Sequence, residues 1–257
     1  MNIESPTDDA TRDAVRARYG EIARTSGSCC GPTGCGTSSL PLGYTADQLA
    51  SVPSGADLSL GCGNPQAIAA LRPGEVVVDL GSGPGLDCFL AAQQVGPTGR
   101  VIGVDMTPEM LARARSNARS VDARNVEFRL GEIERLPIAD RTADVVISNC
   151  VVNLSPDKPA VFREVFRVLK PGGRVAIADV VATAPLPPEA KRDLQAYTGC
   201  VSGAAEIAEL ERMLVDAGFV DVAVRALDES KAIIRTWMDG ASLADYVLSA
   251  TIEANKP

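Results

Sequence analysis

Two hydrophobic rhythms run along this chain. Residues 7–24 place Val15, Tyr19 and Ile22 at helical spacing, and Thr7 or Asp8 can cap the first turn, which predicts an amphipathic helix. Residues 25–43 are rich in Gly, Ser, Thr, Pro and Cys, show no period, and predict a loop. GNPQAIAAL predicts a short helix with Asn64 as cap and Pro65 at the first helical position. From Val76 the pattern alternates. VVVDL, VIGVD, VEFRLG and DVVISN read as strands, separated by helical spacing in FLAAQQVG and PEMLARARSNARS. A helix is expected from Asp157 to Lys170, with PGG breaking it before a fifth strand, RVAIADVV. Apolar runs as continuous as VVVDL fit a sheet covered on both faces, and the βα rhythm predicts a doubly wound, mainly parallel sheet.

Past Ala182 that rhythm lapses. APLPPEA reads as a proline-rich joint, followed by a helical lid to about Ala205. The helix AELERMLVDAGF ends at Gly218, and two late strands lie around VDVAVRAL and YVLSATIEA. Three stretches result: 1–65, an N-terminal helix and Cys-rich segment; 66–183, an α/β core; and 184–257, a C-terminal lid with the final strands.

Composition narrows the function classes. The 257 residues are 46% hydrophobic but only 4% aromatic, so a large core is mostly aliphatic. The net charge of −8, with no basic stripe, argues against a nucleic-acid binder. MNIESPTDDATRD is polar and acidic, unlike a secretory signal, and no apolar run approaches the roughly 18 residues of a membrane span. A cytoplasmic protein is expected. Seven cysteines in a reducing compartment stay largely unpaired, and an odd number cannot all pair. Cys29, Cys30 and Cys35 crowd into SCCGPTGC, and the chain has no histidine. A disulfide staple, a zinc knuckle, a redox pair and a trap for a soft element all remain open for that segment.

VVVDLGSGPG carries the sharpest local signal. Glycines at 81, 83 and 85 let the backbone turn sharply and leave room for a ligand between strand and helix. Asp105 ends the next strand at the right distance to accept from ribose hydroxyls. Alone, such a loop serves a dinucleotide or a methyl donor. Together, VVVDLGSGPG, VIGVD, GEIERLP, DVVISN and LKPGG resemble the class I S-adenosylmethionine-dependent methyltransferases over residues 70–180. The resemblance implies a Rossmann-like, seven-stranded sheet whose last strand inserts antiparallel, and S-adenosyl-L-methionine as cofactor. It puts the glycine loop against the methionine part, Asp105 on the ribose, and Glu132 and Ile133 beside the adenine. The implied cofactor set is Asp79, Gly81, Ser82, Gly83, Gly85, Asp105, Met106, Glu132, Ile133 and Asn149.

After strand four the chain reads SNCVVNL, without the Asn/Asp-Pro-Pro-aromatic pattern of amino-methylating DNA and protein enzymes. Cys150 stands there. Cys62 in LGCGNP and Cys200 in YTGCVSGA are flanked by glycine, which allows close approach. Ligands of such sheets bind beyond the carboxyl ends of the strands, and three soft thiolates suit a thiophilic centre. The combination YGEIAR, SCCG, LGCGNP, DLGSGPGLDC, SNCVVNLSPDK, GCVSGA and SATIEANKP is similar, nearly end to end, to the arsenite S-adenosylmethyltransferases. That resemblance assigns trivalent arsenic to Cys62, Cys150 and Cys200, and an assisting thiol to the N-terminal segment. Cys30 is taken for that role, with Cys29 and Cys35 as alternatives; Cys88 is read as packing.

Arsenic held by thiolates keeps a lone pair and needs no general base, so a chain without histidine loses little. The protein's task is placement, and binding releases thiol protons. Methylation oxidises arsenic, so enzyme thiols restored by a reductant such as thioredoxin or glutathione are expected. Arsenite is expected to arrive as a thiol conjugate, at a monomer without nucleic-acid or membrane partners. Two rivals are a methyltransferase for an organic small molecule, such as a quinone or sterol-like ring, and a zinc module using Cys29, Cys30, Cys35 and Cys62.

Overall fold

The computed structural model of the chain describes residues 7–25, 39–187, 197–199, 201–235 and 245–257. Cys29, Cys30, Cys35, Cys200 and Trp237 lie outside the described residues.

The alternating segments form one seven-stranded sheet. Its strands are β1 (Val76–Leu80), β2 (Arg100–Asp105), β3 (Val126–Leu130), β4 (Ala143–Asn149), β5 (Leu169–Ala182), β6 (Val220–Ala226) and β7 (Val247–Asn255). The order is β3-β2-β1-β4-β5-β7-β6. β1 to β5 pair in parallel, and β7 runs antiparallel to both β5 and β6. The expected antiparallel insertion of the last strand is therefore present.

Side-chain alternation decides which face each residue serves. On β1, Val78 and Leu80 join a core with Val146, Ile177 and Ile252. Two helices cover that face: α6 (Lys158–Val168) through Phe162 and Val165, and α7 (Ile207–Asp216) through Leu210 and Leu214. Val77 points the other way, with Val101, Val145 and Ala176. There it meets α4 (Leu86–Val95) and α5 (Pro108–Ser120). Phe162 is fully buried. Replacing it by alanine is expected to cost about 3–5 kcal/mol in a urea denaturation series.

Boundaries differ from the periodic reading in instructive ways. α6 begins at Lys158, because the Asp157 side chain accepts from Ala160 N and serves as cap. It stops at Val168 rather than Lys170, since Pro171 cannot continue a helix and Leu169 is already extended. PGG does not separate helix from strand. Leu169 pairs with Ala143, and the turn is stitched to the C-terminus by Gly172 N to Lys256 O at 2.9 Å and Lys256 N to Gly173 O at 2.8 Å. Asn64 acts one position earlier than expected. Its Oδ1 accepts from Gln66 N, and Pro65 is the cap of α3 (Gln66–Ala69). α2 (Ala46–Ala50) was hidden in an aperiodic stretch and is held by a Thr45/Gln48 capping box.

The N-terminal helix α1 (Asp8–Thr25) lies beyond the carboxyl ends of the strands. Its Val15 shares a third apolar cluster with Cys62, Cys150, Leu154, Val180 and Val201. This cluster roofs the sheet where a ligand would sit.

Candidate active site

The glycine loop between β1 and α4 has Gly81, Gly83 and Gly85 all at positive φ, the region that disfavours side chains. A Cβ at Gly81 would strike Val151, and one at Gly85 would meet Phe89 and Phe128, whereas one at Gly83 would meet nothing within 4 Å. Gly83 therefore faces open space. That space is a cleft of about 1050 Å³, including its mouth, which runs from the glycine loop to Cys150. Of the expected cofactor residues, Asp79, Gly81, Ser82, Gly83, Asp105, Met106, Ile133 and Asn149 line it.

Two expected residues sit elsewhere. Gly85 packs under the loop against aromatic rings. Glu132 pairs with Arg16 at 3.2 Å and lies within 3.9 Å of Arg12, while Glu134 lines the cleft and accepts from Ser155 Oγ at 2.6 Å. The turn closed by Glu132 and Arg135 decides which acid points inward.

Asp105 is buried at the end of β2. Its Oδ2 accepts from Gly83 N at 2.9 Å and its Oδ1 from Thr107 N at 2.8 Å, which ties the glycine loop to the next strand. Burial pushes its carboxyl up despite these donors. Asp79 is raised well above the carboxylate range by burial and by the charge of Asp87. Asp87, in the first turn of α4, is pushed up to about 6 by burial, against bonds from Tyr44, Asn149 and Gln66. These three buried carboxylates share one cleft. The Ser82 hydroxyl is buried there with no hydrogen-bond partner among the described residues. Cys88 is fully buried and donates to Asp79 at 3.2 Å. Burial and that carboxylate push its thiol up, which fits the packing role expected of it.

At the far wall of the cleft the structure joins two thiols separated by 88 residues. Cys62 and Cys150 form a disulfide, with Cα atoms 5.6 Å apart. Both are buried. Close approach depends on the flanking glycines: a Cβ at Gly61 would lie 2.5 Å from Asn149 Nδ2, and one at Gly63 would lie 2.8 Å from Ala178 Cβ. Asn149 Oδ1 accepts from Cys62 N at 3.0 Å, so the residue expected on the cofactor also clamps the thiol segment. Cys150 has φ +58°, and its N donates to Ala178 O at 2.8 Å.

Sequence reasoning missed Asp179. Its carboxylate lies with both sulfurs in one cluster whose ligand atoms are within 4.8 Å of one another. It accepts from Val152 N, Asn153 N and Nδ2, and Val180 N, and so fixes the turn that follows Cys150. Burial pushes it up to about 6, while the neighbouring N–H groups and Lys158 pull it down. An acid inside the apolar run RVAIADVV was the available signal. Cys200 lies outside the described residues. Its neighbours pack close to this wall: Val201 is in the cluster of Cys62 and Cys150, Tyr197 Oη donates to Leu154 O, and Tyr19 Oη donates to Thr198 O.

A family model described as a methyltransferase domain matches residues 71–218. The chain is 55% identical to an arsenite methyltransferase of Halobacterium salinarum, an alignment covering 97% of this chain and 67% of that protein. This chain belongs to the arsenite methyltransferase family. An arsenite methyltransferase of Aquipseudomonas alcaligenes is 40% identical over 81% of this chain and 62% of its own. The crystal structure of an arsenic(III) S-adenosylmethionine methyltransferase from Chlamydomonas reinhardtii superposes with a TM-score of 0.62 at 31% identity, covering 94% of this chain and 72% of that one. The chain thus spans roughly two thirds of the length of its curated arsenite methyltransferase relatives.

Proposed function

We propose that this chain methylates trivalent arsenic, with S-adenosyl-L-methionine as methyl donor. The observation that carries the reading is the meeting of Cys62 and Cys150 at the wall of a cleft floored by the glycine loop. The cleft suits the cofactor: Gly83 is open to it, Ser82 Oγ has no partner among the described residues, and Asp87, ionised above about pH 6, offers negative charge to a cationic ligand. When bound, that cofactor supplies an electrophilic methyl group on a sulfonium.

The chain's own residues then act as follows. Asp105 and the Gly81–Gly83 backbone orient the cofactor. Cys62 and Cys150, with Cys200, displace the thiols of conjugated arsenite, or the hydroxyls of free arsenite; each exchange forms an As–S bond, breaks the bond to the departing group, and sends that group off with the cysteine proton as a thiol or as water. Val15, Leu154 and Met106 keep the space between donor and thiols poor in water. Gaining a methyl cation through its lone pair takes arsenic from trivalent to pentavalent. Two cysteine sulfurs return two electrons by forming an S–S bond, and a thioredoxin- or glutathione-type reductant reopens the pair. Cys30, or its neighbours Cys29 and Cys35, assists in that exchange. The protein acts as a cytoplasmic monomer on thiol-conjugated arsenite; among the described residues no helix is long and apolar enough to cross a membrane. Incubation with methyl-labelled cofactor, arsenite and glutathione tests this reading. Labelled methylarsenicals are the expected product, and label appearing only in organic acceptors refutes it.

Asp87 gives the reaction a pH signature. Its folded value of about 6 lies above its ordinary 3.8, so folding favours the protonated form. Its contribution destabilises the fold above about pH 6 and is relieved as pH falls toward about 4. A neutral Asp87 attracts a cation poorly. Affinity for S-adenosylmethionine, measured by calorimetry without arsenite, should be level above about pH 7 and fall below about pH 6 by up to about tenfold per unit. Asp87→Asn should flatten that profile.

A further inference from the structure

Between the glycine loop and the cysteine pair lies a buried polar cluster drawn from four parts of the chain. Tyr44 precedes α2, Gln66 opens α3, Asp87 lies in the first turn of α4, and Asn149 ends β4. Tyr44 Oη donates toward Asp87, 2.8 Å from Oδ1 and 3.0 Å from Oδ2. Gln66 Nε2 lies 3.0 Å from the Asp87 carbonyl oxygen and 3.3 Å from Oδ1. Asn149 Nδ2 lies 2.8 Å from Gly63 O, 2.9 Å from Tyr44 Oη and 3.4 Å from Asp87 Oδ2.

Hydrogen counting leaves this cluster no spare donor: with the two hydrogens of Gln66 Nε2, five hydrogens face five acceptors, and the Asn149 amide is the group shared too widely. Nδ2 carries two hydrogens and has three acceptors in reach, and Tyr44 has one hydrogen for two carboxylate oxygens. The contact to Asp87 Oδ2, at 3.4 Å, is the longest of the three that Nδ2 makes. Asp87 lines the cleft, so a cation entering there can meet the carboxylate from the other side. The Asn149 amide then keeps both hydrogens on Gly63 and Tyr44. Its Oδ1 holds Cys62 N, so the same amide grips the thiol segment on both sides of Cys62.

We infer that Tyr44 and Asn149 couple the two substrate sites: a cationic cofactor at Asp87 tightens the hold on the Cys62 segment, so cofactor and arsenite bind cooperatively. This rests on the arsenite methyltransferase reading above. Linkage requires the effect to be reciprocal. Tyr44 is buried and is not among the residues lining the cleft, so it acts as a positioning residue.

The test is calorimetry on reduced protein with sodium arsenite and sinefungin, an unreactive cofactor analogue that carries an ammonium where the donor has its methylsulfonium, each alone and in the presence of the other. In the wild type each ligand should tighten the other by the same factor, about fivefold or more. Tyr44→Phe keeps the ring and removes the hydroxyl. It should bind each ligand alone within about threefold of wild type, while the coupling factor falls to about one. A merely structural tyrosine would weaken both ligands and leave their mutual dependence intact, and that result overturns the inference. So does a wild type that binds both ligands independently, which would leave the proposed function standing. Failure of the reduced wild type to bind arsenite at all removes that function and the inference together. Should Tyr44→Phe not fold, Tyr44→Phe with Asp87→Asn removes both the hydroxyl and the carboxylate that compete for the Asn149 amide. The same coupling ratio is then read on that protein, and a ratio equal to wild type overturns the inference.

Discussion

Replacing Cys150 by serine is expected to slow arsenite methylation by more than about a hundredfold while the affinity for S-adenosylhomocysteine changes by less than about threefold. A hydroxyl is a hard, weak ligand for a soft centre, so arsenic loses one of the two thiolates that the tertiary structure brings together. Misplacing a reacting atom by about 1 Å can alone cost a hundredfold. The variant should leave the cofactor end untouched. The Cys150 N bond to Ala178 O does not depend on the side chain, and the turn held by Asp179 stays in place. Measurements belong under reducing conditions, so that the loss of the disulfide does not enter as a difference in stability. Single-turnover methyl transfer with calorimetry of S-adenosylhomocysteine reads both halves. If cofactor affinity and methylation fall together, Cys150 is packing and the thiol chemistry lies elsewhere.

A pair of alanine substitutions in the glycine loop should separate folding from cofactor binding. Gly81 has φ +64°, and a Cβ there would strike Val151, the residue after Cys150. Left-handed backbone costs an L-residue roughly 1–2 kcal/mol, and overpacking adds about 1–3 kcal/mol. Gly81→Ala should therefore lower stability by roughly 2–5 kcal/mol and push the Cys150 segment out of line. In a chain of this size that is a fall in Tm on the order of 5–15 °C. Gly83 has φ +51° but open space around it, so Gly83→Ala bears only the backbone penalty, about 1–2 kcal/mol. Its methyl group would project into the cleft. That variant should stay folded and lose at least about tenfold in cofactor affinity. Thermal unfolding and calorimetry on both proteins decide the matter. Wild-type affinity in Gly83→Ala would remove the cofactor from the floor of the cleft, and wild-type stability in Gly81→Ala would contradict the Val151 contact.

The architecture was legible because its signals are local. VVVDL and VIGVD are apolar except for the site acids Asp79 and Asp105 because both faces of the sheet are covered, and the two late strands fall where the βα rhythm lapses. The glycine loop and Asp105 were legible for the same reason: the chemistry sits within one short turn and the strand beside it. Element ends were less so. A capping carboxylate at Asp157, a proline at 171 and the stitching of PGG to Lys256 settle them, and the last of these spans most of the C-terminal half.

Elsewhere residue type was visible but partnership was not. In GEIERLP two acids stand two positions apart, and only the turn closed by Arg135 sends Glu134 inward and Glu132 out to Arg16. Tyr44 and Gln66 gave no local sign of a role, and Asp179 only that of an acid inside an apolar strand, because each meets its partners through the packing of separate elements. The local order of apolar, glycine and cysteine residues along the chain was enough for the sheet, the loop and an inventory of soft ligands, since each depends on neighbours a few positions away. Among the described residues, how Cys62 and Cys150 meet while Cys88 stays apart was decided by the fold; family resemblance could pair the first two but not say what brings them together. Cys62 and Cys150 are 88 residues apart, and only parallel pairing of β4 with β5, together with the Asn149 clamp on a glycine-flanked segment, closes that distance.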